Sequence, residues 1–370
     1  MKRLNEGALA KAVETRAREN LAMGNIGGIS VLVAQENQVI YQGCFGTKDM
    51  KADPVTEETI FRIASMTKPI TAVAAMILVE RGLLSLEDRL DRFDPRFSVM
   101  RYFGKDQEEE ILPPIKIEHL LTHTSGIGSG ATRKEYLKTI PDSAYKTMEG
   151  LHEFLSKQAL SFVPGTKQEY SGVAAFSLLT GIIQKVTDMP YEDFLKRELF
   201  EPCQMRNTTF EPSEAQWDRL IAMHDKQDGC SVIGITYEGC VINRYSTKNY
   251  LGGGGLISDA RDYLNFSTML LNGGEFQGRR ILTEASIANM VTPRIARKEK
   301  EGWGLGVRVI TEDGHLRPRC SFGWSGAFGT HFWIDPENQI VAIYLKNSRY
   351  DGGSGARTSR EFEKDVYSAL

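Results

Sequence analysis

The sequence predicts an α/β (α+β) fold in which one sheet is built from both ends of the chain and a helix-rich lobe is inserted between its halves. Three observations predict this. Strand-like runs occur near the N-terminus, at Gly28 to Ala34 and Val39 to Gly43. Helical spacing of apolar residues dominates the middle of the chain. Strand signals return from Gly304 onward.

Leu9 to Met23 is predicted as a helix, and Glu36-Asn37-Gln38 as the hairpin joining the first two strands. Helical spacing then recurs at Pro69 to Leu84, Ile117 to Thr122, Leu151 to Ala159, Val173 to Val186, Tyr191 to Phe200, Ala260 to Leu271 and Glu284 to Met290. The predicted C-terminal strands are Gly304 to Ile310, His331 to Ile334 and Ile340 to Leu345. Asp335-Pro336-Glu337-Asn338 reads as the turn between the last two. Ser359 to Leu370 reads as a closing helix. The resulting division is a discontinuous sheet lobe, 1–60 with 300–370, and a helix-rich lobe, 61–299.

Composition narrows the function classes. At 370 residues the chain suits one large domain or two intertwined ones. A hydrophobic content of 41% and a charged content of 25% are those of a soluble globular protein. The net charge of -3, with no basic run interleaved with aromatics, argues against nucleic acid as a partner. No apolar stretch reaches the roughly 18 residues that span a membrane. The N-terminal residues carry no apolar signal-peptide core. The five cysteines (Cys44, Cys203, Cys230, Cys240, Cys320) are odd in number and form no C-x-x-C. Reduced thiols and a cytoplasmic location are the expectation.

The most informative stretch is Ser65-Met66-Thr67-Lys68. A serine three residues before a lysine, at the start of a helix, directs both side chains the same way. Serine is a weak nucleophile and needs an adjacent base. A lysine serves as that base only as a free amine, which burial or a helix N-terminus favours. The alternative is a helix-capping serine beside a solvated lysine. The same pattern at Ser143-Ala144-Tyr145-Lys146 follows Pro141-Asp142 and reads as a loop. The first copy opens a helix whose apolar positions (Ile70, Val73, Ala74, Ile77, Leu78) mark a buried face, and Gly82 ends it.

Other constellations carry less. His119 and His123 are four apart, a spacing that can hold a metal, but no third ligand lies nearby. A buried, hydrogen-bonded histidine fixing the Thr124-Ser125-Gly126 turn is the better reading, and no metal or other cofactor is expected. Gly252 to Gly255 precede a helix with Ser258 as its expected N-cap. No strand leads in, so close backbone approach beside a cleft explains the glycines better than phosphate binding. G-x-S-x-G is absent, and with it the α/β-hydrolase nucleophile elbow. Tyr170, at the mouth of a helix, is either a packing residue or a proton shuttle whose pKa nearby cations depress. Gly323-Trp324-Ser325-Gly326-Ala327 reads as a Gly-rich strand edge whose N–H groups could face an oxyanion.

Taken in order, these segments resemble the serine β-lactamase and penicillin-binding-protein-like superfamily, in particular class C β-lactamases and related esterases. Phe61 to Thr71 resembles the S-x-x-K nucleophile segment. Leu120 to Gly126 resembles its L-L-T-H-T-S-G loop, and Tyr170-Ser171-Gly172 stands where the family has Y-x-N. Gly252 to Ala260, Trp303 to Gly306 and Gly323 to Thr330 match its glycine stretch, its Y-G-L-G strand and the place of its K-T-G strand. The resemblance covers nearly the whole chain. It implies an antiparallel sheet flanked by helices plus an all-helical lobe, with the active site between them. Ser65 would be the acylated nucleophile, Lys68 its base, and Tyr170 the shuttle that activates the deacylating water. The N–H groups of Ser65 and Ala327 would form the oxyanion hole, and Gly172, Trp324, Ser325 and Gly326 would contact substrate.

Two departures matter. Gly172 replaces the asparagine that binds the amide of a lactam side chain. Trp324-Ser325-Gly326 replaces K-T-G and removes the cation for the lactam carboxylate; a tryptophan there resembles the esterase branch. The expected function is therefore a serine hydrolase of carboxylic esters with weak or no β-lactamase activity. The alternatives are a β-lactamase or D-amino-acid peptidase, an acyl transferase, and a non-catalytic binding protein. The expected partner is a small-molecule ester or lactam.

Overall fold

A computed structural model describes residues 2–49, 51–103, 109–129, 141, 146–227, 230–234, 249–296, 300–348, 350–351 and 353–370. Among them, the helices of twelve or more residues are α1 (Glu6–Ala22), α2 (Thr67–Glu80), α3 (Ala174–Thr187), α4 (Ala260–Leu271) and α5 (Arg357–Ser368). The main sheet has eight strands: β1 (Gly28–Gln35), β2 (Gln38–Gly46), β3 (Ile295–Ala296), β4 (Glu301–Trp303), β5 (Arg308–Ile310), β6 (Phe322–Ser325), β7 (His331–Asp335) and β8 (Ile340–Lys346). Their spatial order is β3-β4-β5-β6-β7-β8-β1-β2, and every pairing is antiparallel. The two ends of the chain meet where β1 pairs with β8, from Ile29 opposite Lys346 to Gln35 opposite Ile340. Glu36 and Asn37 both adopt left-handed backbone, the two-residue turn whose twist suits a tight hairpin. Gln38 is thereby the first residue of β2 and not part of the turn.

The sheet is covered on both faces, which is why β1 is buried at all eight positions. Alternate residues serve different cores. Val31, Val33, Trp333, Ala342 and Tyr344 pack with Leu9 and Val13 of α1 and Phe362 and Val366 of α5. Leu32, Phe332, Ile334, Val341 and Ile343 face the opposite way and join the large core shared with the helices. Helix α4 packs on β8, β1 and β7, so the sheet draws a covering helix from the centre of the chain.

Helix α2 departs from the expected single buried face: every residue from Thr67 to Leu78 is buried. It begins at Thr67, two residues before the apolar run. Pro69 is tolerated because the first-turn N–H groups have no helical partner. Its end is as expected, with Gly82 in left-handed conformation just beyond Arg81. The predicted strand Gly304 to Ile310 is divided. Gly304 to Val307 form a tight loop closed by Gly304 N–H donating to Val307 O, and only Arg308–Ile310 is strand. Gly306 is required there, because a Cβ would sit 2.6 Å from Ala72 Cβ of α2. The segment Tyr191 to Phe200 starts as α-helix and widens to a π turn at Lys196. Among the described residues no helix is long and apolar enough to cross a membrane. Ser143 and Cys240 lie outside the described residues.

The N-cap of α4 is Asp259 and not Ser258: its carboxylate accepts from Asp262 N at 2.8 Å. Asp262 is buried as well, and its Oδ2 accepts from Asn207 N at 2.6 Å and from Thr208 Oγ1 at 2.9 Å. Burial and the adjacent Asp259 push the Asp262 carboxyl up to about 7, and burial raises Asp259 in the same direction. A carboxyl raised by folding stabilises the native state below its unfolded pKa of about 4 and loses that contribution as pH rises through its folded value. Asp262→Asn is therefore expected to flatten the fall in melting temperature between pH 4 and 7 and to raise it at pH 8. Thermal unfolding across that range checks this, and an unchanged slope would refute it.

Candidate active site

Ser65 sits in a single turn of 3-10 helix, Ala64–Met66, that runs directly into α2. The turn is tied from both sides. Phe61 and Arg62 pair with Ser258 and Ile257, Ile63 N–H donates to Leu256 O, and Tyr263 OH donates to Met66 O at 2.8 Å. Ala64 is held at a φ of 48°, left-handed backbone that an alanine adopts only under constraint. Ser65 caps neither helix: no side-chain cap bond is made at the start of the 3-10 turn or of α2.

The Ser65 hydroxyl faces two groups. Lys68 Nζ, one turn along, lies 3.3 Å from Oγ, and Tyr170 OH lies 2.7 Å from it. Lys68 is fully buried, so it needs partners. It donates to Gly172 O at 2.7 Å and to Gly253 O at 2.6 Å. The four-glycine stretch thus approaches α2 closely and supplies a carbonyl. A Cβ at Gly252 would stand 2.4 Å from Thr180 Cγ2 of α3. Lys68 also lies 4.9 Å from the Tyr170 ring centre. Burial raises the Tyr170 phenol, but the Lys68 charge and hydrogen bonds outweigh it, and the net shift is downward.

Tyr170 is placed by a residue that the sequence reading assigned elsewhere. His123, buried and left-handed at φ 57°, accepts from Ser171 N through Nδ1 at 3.2 Å and from Glu169 N through its carbonyl at 3.1 Å. Its ring packs on Tyr170 and on Trp303, each at 4.7 Å between centres. His123 therefore clamps the Tyr170 segment on both sides. His119 engages a different loop, accepting from Lys116 N. Trp303 is anchored in turn by its indole N–H to Leu121 O at 3.0 Å.

Strand β6 forms the opposite wall. Its pleat sends Trp324 and Ser325 to opposite faces. Trp324 lies edge-on to Trp303 at 4.3 Å and 5.5 Å from Tyr170, on the side of Ser65. The guanidinium of Arg308, paired with Glu301, stacks 5.6 Å from the Trp324 ring. Ser325, expected to contact substrate, instead points its hydroxyl at His331 Nδ1, 2.8 Å away on the face covered by α5. Gly326 abuts the Ser65 turn: a Cβ would lie 2.4 Å from Ile63 O. Thr330 Oγ1 also donates to Ile63 O, joining the β6–β7 turn to the Ser65 segment. Ala327, exposed, follows Gly326 in that turn. Gly172 contributes only its carbonyl, which Lys68 occupies.

A buried lysine and a tyrosine converging on one serine hydroxyl, between a helical region and an antiparallel sheet, define a β-lactamase/transpeptidase-like fold. The chain belongs to the Beta-lactamase family, whose model matches residues 13–363. Protein Rv1367c of Mycobacterium tuberculosis is 31% identical over 368 residues, covering 89% of this chain and 87% of that protein. Esterase EstB of Burkholderia gladioli is 27% identical over 382 residues, covering 96% and 94%. Among solved structures, "EstCE1, a hydrolase with promiscuous acyltransferase activity" superposes with a TM-score of 0.83 at 26% identity, covering 98% of this chain and 99% of that one.

Proposed function

We propose that the protein is a serine hydrolase that cleaves uncharged carboxylic esters through an acyl-enzyme on Ser65. The observation that carries this reading is the convergence of Tyr170 OH and Lys68 Nζ on Ser65 Oγ. Lys68 donates to two carbonyls and also lies within reach of Ser65 Oγ, at 3.3 Å. Lys68 and Tyr170 together hold one mobile proton, and whichever group lacks it is a base beside the serine. The shorter distance and the lowered phenol pKa favour Tyr170 as the immediate acceptor. Lys68 then stabilises the phenolate, a change from the role expected of it as base.

In the proposed cycle Ser65 Oγ attacks the ester carbonyl as its proton passes to Tyr170. The N–H groups of Ser65 and Ala327 stabilise the oxyanion. The C–O bond breaks and the leaving alkoxide takes the proton from Tyr170. Water then enters, loses its proton to Tyr170 and attacks the acyl carbon, and Ser65 is released with that proton. An alcohol in place of water gives acyl transfer. The similarity to EstCE1, whose description includes promiscuous acyltransferase activity, favours this as the second reading.

Trp324 supports esters over lactams. A lactam carboxylate needs a cation or several donors, a charge-assisted contact worth about 1.5–3 kcal/mol. The guanidinium that lies against the Trp324 ring, that of Arg308, is already paired with Glu301. The indole offers one N–H and a large apolar face. The expected outcome is that acetate and butyrate esters turn over faster than a chromogenic cephalosporin. A cephalosporin hydrolysed faster than both esters would sink this reading and promote the β-lactamase alternative. The free thiols Cys44, Cys203 and Cys320 support a reducing compartment for the protein.

A further inference from the structure

On the face of β6 turned away from Ser65 lies a serine–histidine–carboxylate chain. Ser325 Oγ is 2.8 Å from His331 Nδ1, and His331 Nε2 is 2.6 Å from Glu363 Oε1 of α5. Ser325 is 3% exposed, His331 2% and Glu363 6%, so a substrate cannot reach this serine from solvent. Burial alone would raise the Glu363 carboxyl, but the nearby Arg317 charge and the His331 bond hold it down at about 2. It is an ionised acceptor and burial favours the neutral His331 ring, so His331 donates from Nε2 and accepts at Nδ1. Ser325 is thereby the donor, and its hydroxyl is locked away from the cleft.

Ser325 also adjoins the parts of the site that face substrate. Trp324 precedes it, and Gly326, which abuts the Ser65 turn, and Ala327 follow it. The backbone ladder already pairs Ser325 with His331. The side-chain chain adds a second anchor, from β6 through β7 to α5. We propose that Ser325, His331 and Glu363 are positioning residues that hold β6 in register with Ser65, so that the Ala327 N–H meets the developing oxyanion. This rests on the ester-hydrolase reading above.

The test compares Ser325→Ala, Glu363→Gln and Glu363→Met with the wild type. The measurements are kcat and KM for a butyrate ester, the rate and site of labelling by a serine-reactive phosphonate, and thermal unfolding. Loss of a whole oxyanion donor typically lowers kcat 10²–10³-fold, so a displaced donor in Ser325→Ala should lower kcat and labelling rate together by about 10-fold. KM should stay within about twofold, because the affected contact forms only in the transition state. Glu363→Gln keeps an acceptor for His331 and should retain kcat within about threefold, whereas Glu363→Met should reproduce the Ser325→Ala loss. The label should map to Ser65 throughout. Should Ser325→Ala not fold, the Glu363 pair carries the same comparison. Wild-type kcat and labelling in folded Ser325→Ala or Glu363→Met would overturn the proposal, as would a loss confined to KM or a label on Ser325. Wild-type protein with neither ester turnover nor labelling would overturn the parent reading and this one together.

Discussion

Ser65→Ala is expected to abolish ester turnover and phosphonate labelling while leaving the fold intact. The hydroxyl is the atom on which Lys68 and Tyr170 converge, and no other described side chain shares that position. Groups that act as a unit lose nearly everything when the nucleophile is removed, and the expected fall in kcat is about 10⁴- to 10⁶-fold. Ser65 makes no capping bond, so its removal should cost little stability. Ser143→Ala provides the control and should change neither readout. Mass spectrometry of the phosphonate adduct checks both variants; stoichiometric labelling of Ser65→Ala would assign the nucleophile elsewhere.

The second large effect concerns the shared proton. Tyr170→Phe is expected to lower kcat by about 10²–10⁴-fold, the usual contribution of a positioned acid–base group. Lys68→Met, close to isosteric, should fall in the same range and also lower stability, because Gly172 O and Gly253 O lose their donor. The double variant should lose no more activity than the worse single one, since either change removes the same base. Additive losses in that cycle would show two independent roles. The pH profile gives a second check. If phenolate is the active form, kcat/KM rises with pH with its midpoint below the ordinary tyrosine pKa of about 10, because Lys68 holds the Tyr170 phenol beneath its ordinary value.

Much of this arrangement was legible in the residues. Ser65 and Lys68 declared themselves by spacing, because three positions on a helix fix relative direction whatever surrounds them. The sheet's division between the two ends was legible because β1, β7 and β8 are apolar runs bounded by turn residues. Tyr170 carried a weaker mark, its place at the mouth of a helix, which left packing and proton shuttling open until its order among the family segments pointed to the latter. The orientation of Ser325 was lost for a different reason. Phe322-Gly323-Trp324-Ser325-Gly326 lacks an apolar-polar alternation, so nothing local says which residue faces the cleft. The partners that decide it, His331 and Glu363, belong to β7 and to α5. His123 was recognised as buried and bonded, but the segment it clamps lies some fifty residues onward. The all-round burial of α2 was not legible because Thr67, Lys68 and Thr71 are polar and the groups that receive them lie far along the chain. Each in fact finds a buried partner, in Leu256 N, Gly253 O and Gly252 O.

That burial of α2 has a consequence for how the protein is inactivated. A segment enclosed on every side exchanges its amide hydrogens only when the whole domain opens, whereas surface loops exchange through small local fluctuations. Lys68 belongs to the former class, and Ser65, half-buried, sits in the turn that runs directly into that segment. Excursions of the periphery leave the Lys68 position untouched, and the proposed catalytic pair is expected to keep its spacing as long as the native state persists. Heat inactivation then follows the global unfolding rate, and the half-life of activity becomes a direct reading of the kinetic stability of the fold.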